Sequence, residues 1–74
     1  MGRTSGDGLV NRLRELRTRQ KLTQAELAKL VKVSRQTIVA VEKGEYNPSV
    51  VMALRIAAVF DEPIESIFWL SDSQ

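Results

Sequence analysis

Neither cysteine nor histidine occurs in the 74 residues. Without cysteine the chain can hold no disulfide framework and no thiolate metal site. Without histidine it lacks the commonest general base and the commonest metal ligand together. No apolar run approaches the roughly 18 residues of a membrane span, and the N-terminus has no signal-peptide core. Met1-Gly2 opens like a myristoylation signal, but that motif asks for Ser or Thr where Gly6 stands. There is no glycine-rich phosphate loop and no carboxylate pair in an apolar setting, so the sequence offers no catalytic constellation. These absences argue against an enzyme, a cofactor, a metal site and a membrane protein, and they point to a soluble cytoplasmic domain.

What is present is ordinary globular material, 43% hydrophobic and 27% charged. A chain this short makes one small domain and buries only about 60% of its unfolded surface. The net charge of +2 hides an asymmetry. Residues 1–48 carry ten Lys or Arg against five acids, whereas residues 49–74 carry Arg55 against Asp61, Glu62, Glu65 and Asp72. A basic half joined to an acidic half suits a polyanion-binding face opposite one that avoids polyanions.

Residues 1–7 are polar and aperiodic and read as a flexible tail, with the domain at 8–70 and a short C-terminal tail at 71–74. From Gly8 onward the period is helical. Leu9, Leu13 and Leu16 form one stripe of a first helix. Thr23 and Glu26 make a capping box for a second, which buries Leu27, Ala28 and either Leu30 or Val31. Ser34 caps a third helix from Arg35 to about Lys43, with Ile38 and Val41 inward and Gly44 as its stop. Ser49 opens a fourth, with Val50, Ala53, Ala57 and Phe60 as its inward stripe. Asp61-Glu62-Pro63 breaks it, and a short fifth helix spans about Pro63 to Trp69, with Ile64, Ile67 and Phe68 inward. No strand alternation is evident, so the expected fold is all-α, a compact five-helix bundle.

Residues 24–43 hold two short helices separated by about three residues, with small Ala28 in the first and Val33 and Ile38 placed to plug the angle between them. Steeply crossed helices require this arrangement. It leaves the N-terminus of the second helix pointing outward, narrow enough for a DNA major groove and carrying partial positive charge. T-Q-A-E-L-A at 23–28, V-S-R-Q-T-I at 33–38 and V-E-K-G-E-Y-N-P-S at 41–49 resemble the Cro and phage-repressor (XRE) class of helix-turn-helix regulators, over roughly Leu9 to Leu70.

That resemblance implies a lambda-repressor-like bundle that inserts its third helix into the major groove, usually as a homodimer on a palindromic operator in double-stranded DNA. It implies base contacts from Arg35 and Gln36, with Ala40 one turn on, and a phosphate contact from Gln24. It also implies an Arg17–Glu42 ion pair tying the first helix to the third. The residues themselves add Thr37 as a phosphate or thymine-methyl contact, and Lys32, Ser34, Lys43 and Asn47 as backbone contacts. The sequence departs from the family pattern at Lys32, where glycine is usual, and at Val39, where a small polar residue is common. A left-handed backbone at Lys32 costs about 1–2 kcal/mol. At the C-terminal end, Ile64, Phe68 and Trp69 are dimer-interface candidates, extended by Val51, Ala58 and Val59, because a short helix cannot bury Phe68 and Trp69 on one face. The implied role is a transcriptional regulator, a repressor, acting on the nucleoid of a prokaryote, archaeon or phage. The alternative is an antitoxin-like or bridging module that uses the same fold to hold a protein partner.

Overall fold

The structure is a computed structural model that describes residues 8–71 and the backbone of Arg3–Thr4. In chain order it comprises β1 (Arg3–Thr4), β2 (Leu9–Asn11), α1 (Leu13–Arg19), α2 (Gln24–Val31), α3 (Arg35–Glu42), α4 (Val50–Phe60), α5 (Ile64–Ile67) and β3 (Phe68–Leu70). The fold is a five-helix bundle with a small sheet at one end.

Side chains set the helix starts. Thr23 Oγ1 accepts from Glu26 N at 3.0 Å while Glu26 Oε1 accepts from Thr23 N at 2.8 Å, a complete capping box. Ser34 accepts from Thr37 N and Ser49 from Met52 N, each at 3.1 Å. At the C-termini of α1 to α4 the chain turns left-handed at Lys21, Lys32, Gly44 and Asp61. The next residue's N–H then reaches back five positions, as from Val33 to Ala28 O and from Glu45 to Ala40 O. This Schellman geometry satisfies carbonyls that would otherwise lack partners.

Leu13, Leu16, Leu27, Ala28, Val31, Ile38, Val41, Met52, Ala53, Ile56, Phe60, Ile67 and Phe68 form one core. In α2 it is Val31 that is buried, while Leu30 faces solvent. The α4 stripe differs from the expected one. Val50, expected inward, is 74% exposed, and the buried positions are Met52, Ala53, Ile56 and Phe60, with Ala57 half-buried. The face is rotated because Met52 and Ile56, larger than the alanines of the expected stripe, fill the space next to Ala53 and Phe60.

Beside the expected helices the structure holds a three-stranded sheet. β2 pairs antiparallel with β1 (Arg3 opposite Asn11, Thr4 opposite Val10) and with β3 (Leu9 opposite Leu70, Val10 opposite Trp69, Asn11 opposite Phe68). Leu9 therefore belongs to a strand and not to the first helix. The reason lies at Asn11, whose Oδ1 accepts from Leu13 N at 3.0 Å and so marks the helix start at Leu13 instead of Leu9, where the leucine stripe begins. The last helix likewise ends at Ile67 instead of reaching Trp69. In β3 the side chains alternate, so Phe68 enters the core at 7% exposure while Trp69 stands out at 36%. The ladder closes where Ser71 N donates to Gly8 O at 2.6 Å. Gly8 has φ +84°, and a Cβ there would sit 3.3 Å from Ser71 Oγ. The tails expected at 1–7 and 71–74 fall outside the described residues, apart from the paired Arg3–Thr4 and the hydrogen-bonded Ser71.

Candidate nucleic-acid interface

α2 packs chiefly on α3, with Ala28 buried and Val33 half-buried against the core beside the turn. The turn passes through Lys32 at φ 64°, ψ 44°, a left-handed position held by a non-glycine residue. Asn11 secures the other side of α3, since its Nδ2 donates to Val41 O at 2.9 Å while its Oδ1 caps the start of α1. Both polar atoms of this buried side chain are thereby satisfied.

With Ile38, Val41 and Glu42 turned inward, the remaining residues of α3 face outward. Arg35, Gln36 and Lys43 are exposed, and Thr37, Val39 and Ala40 are half-buried. Gln24, at the first position of α2, is half-buried, and Lys32, Ser34 and Asn47 are exposed. The hydroxyls of Ser34 and Thr37 lie 2.9 Å apart and hydrogen-bond to each other within the cap.

Beneath this face a polar chain runs from α1 to the start of α3. Arg17 Nε donates to Glu42 Oε2 at 2.6 Å, its Nη2 to Oε1 at 3.3 Å, and its Nη1 to Leu22 O at 2.8 Å. Gln24 Nε2 donates to the same Glu42 carboxylate at 3.2 Å, and its Oε1 accepts from Arg35 Nη2 at 3.1 Å. Gln24 thus joins the ion pair to the exposed Arg35. Arg17, Gln24 and Glu42, together with Arg14, Val39 and Lys43, line an open groove of about 340 Å³ between α1 and α3.

Two of these functional roles escaped the sequence reading. Asn11 carried a weak signal, a cap-forming residue just ahead of an apolar-periodic run. The link from Gln24 to Glu42 joins residues 18 positions apart, and no local spacing reports it. Of the three C-terminal dimer candidates, Phe68 is buried in the chain's own core and Ile64 is half-buried against it, which leaves Trp69 as the exposed one of the three. Among the described residues no cluster of three or more His, Cys, Asp or Glu could hold a metal ion, and no helix is long and apolar enough to cross a membrane.

The helix-turn-helix family HTH_3 matches residues 13–67. The chain belongs to this family, the Cro and phage-repressor type of helix-turn-helix protein. The family comprises DNA-binding transcriptional regulators and is not one of enzymes. An uncharacterised HTH-type transcriptional regulator of Archaeoglobus fulgidus is 51% identical over 63 residues, covering 85% of this chain and 90% of the relative. Another, from Methanothermobacter thermautotrophicus, is 54% identical over 61 residues, covering 81% and 88%. YgzD of Bacillus subtilis is 44% identical over 64 residues, covering 86% and 97%. Among solved structures, the restriction-modification controller protein C.AhdI of Aeromonas hydrophila superposes with a TM-score of 0.68 at 39% identity, covering 73% of this chain and 82% of that one.

Proposed function

We propose that this protein is a sequence-specific DNA-binding transcriptional regulator, acting as a repressor that inserts α3 into the major groove. The observation that carries this reading is the outward first turn of α3, where Arg35 and Gln36 are exposed and Arg35 is anchored from behind by Gln24. A guanidinium there forks to guanine O6 and N7, and a neighbouring amide pairs with adenine N6 and N7. Ala40 and Thr37 supply methyl groups toward thymine. Gln24, Lys32, Ser34, Lys43 and Asn47 position the domain on phosphates, which fix register without reading sequence.

One helix meets only a few base pairs, so useful specificity calls for a homodimer on a palindromic operator with half-sites about one turn, roughly 34 Å, apart. Trp69 contributes to the seam, with exposed Val51 and Ala58 on α4 extending it. The protein acts in the cytoplasm, on the nucleoid. Regulation then comes from its concentration, from competition for the site, or from a partner protein.

Guanine N7-methylation interference tests the groove assignment. Methylation at the guanine facing Arg35 is expected to abolish binding, whereas interference confined to minor-groove adenine N3 would overturn it. The exposed apolar residues Val50, Val51 and Leu54 favour a second reading, an antitoxin-like or bridging module that holds a protein.

A further inference from the structure

We infer that the groove between α1 and α3 is a phosphodiester seat and that Arg14, which has no ion pair or side-chain hydrogen bond among the described residues, is the residue on α1 that closes it. The inference rests on the DNA-binding reading above and deepens it by bringing α1 into backbone recognition.

Four arginines lie on or next to α1, and three are held by carboxylates. Arg12 lies 3.6 Å from Glu15 and 3.8 Å from Glu62, Arg17 is bound to Glu42, and Arg19 reaches Glu15 at 2.6 Å. Arg14 is exposed and makes no ion pair or side-chain hydrogen bond among the described residues. It lines the groove together with Lys43 of the α3 C-terminus. The lining therefore holds Arg14, Arg17 and Lys43 against one carboxylate, Glu42. That carboxylate already accepts from Arg17 Nε, Arg17 Nη2 and Gln24 Nε2, so its charge is compensated. The net positive field acts on whatever enters, and a guanidinium and an ammonium together suit the oxygens of one phosphate.

Position along α3 favours a DNA phosphate over a free anion. Lys43 follows Arg35 by eight residues, about 12 Å along a helix axis. That matches the roughly 12 Å width of the major groove. A helix whose Arg35 end meets base edges brings Lys43, and the groove beside it, to the phosphate rim.

The test uses the full chain and a panel of duplexes of its selected sequence, each carrying one uncharged methylphosphonate. At one position, neutralisation is expected to weaken the wild type several-fold and to leave Arg14→Ala indifferent. Lys43→Ala should lose its response at that same position. The salt slope of Arg14→Ala should fall by about 0.9 with base preference unchanged, and Arg14→Lys should keep the response. Circular dichroism of each variant checks that it is folded. Wild-type affinity and slope in Arg14→Ala, or every methylphosphonate response retained, overturns the assignment while leaving the DNA-binding reading intact. Inorganic phosphate competing through Arg14 at matched ionic strength would make the groove a free-anion site and likewise overturn it. If the wild type selects no duplex at all, both readings fall.

Discussion

Arg17 holds Glu42 through two hydrogen bonds, of 2.6 and 3.3 Å, and the two side chains are only 11% and 5% exposed. The pair joins α1 to the last residue of α3, and through Gln24 it also reaches Arg35 at that helix's other end. Removing one member strands the other charge in a nearly dry site, whereas removing both strands neither. Glu42→Ala is expected to cost about 3 kcal/mol of stability. Arg17→Met with Glu42→Leu should cost far less. Urea denaturation of the two variants and the wild type decides the matter, and equal losses would contradict the buried-pair account.

Asn11 is the second polar anchor of α3. Asn11→Ala leaves Leu13 N without its partner and takes from Val41 O one of two donors, Gly44 N remaining at 3.0 Å, and the expected loss is about 1–3 kcal/mol. Chemical denaturation measures it. A change below a few tenths of a kcal/mol would mean that water replaces the amide without cost.

Gln24 ties Arg35 to the ion pair, so it acts on readout by positioning. Gln24→Ala should leave stability nearly unchanged and lower affinity for the selected duplex by about 1 kcal/mol. It should also relax preference at the base pair read by Arg35. Arg35→Ala should relax that same pair by about 1–3 kcal/mol. Competition titration against single-base variants reads both. Relaxation at two different base pairs would separate Gln24 from Arg35.

Lys43 is assigned to phosphate, not to bases. Lys43→Ala is expected to weaken all sequences alike and to reduce the slope of log affinity against log salt by about one. A loss confined to particular base pairs would give Lys43 a reading role.

Much of the bundle was legible because its signals are local. Thr23 with Glu26, then Ser34, then Ser49 mark three helix starts by side-chain chemistry within a turn, and all three caps form as their spacing implies. The sheet was hidden because strands of two or three residues are too short to show a period, and Leu9 happened to extend the leucine stripe of α1. The inward face of α4 was legible only in part, since Ala53 and Phe60 are buried as their spacing implies while Val50 is exposed. Val50, Ala53 and Ala57 share one helical stripe, Met52 and Ile56 another, and only packing against the rest of the core chooses between them. At the candidate site, position along α3 identified which side chains face outward. Gln24, Glu42 and Arg35 meet only through tertiary packing, and that connection had to be seen in three dimensions.

Selection from a randomised duplex pool tests the central claim most directly, with the salt dependence of the winners recorded. The account predicts an enriched inverted repeat whose half-sites lie about one helical turn apart. Arg35→Ala should then lose preference at one base pair in each half-site. A pool that stays random, with only weak and salt-sensitive binding, would contradict a base-reading α3 and turn attention to a protein partner on the apolar face of α4.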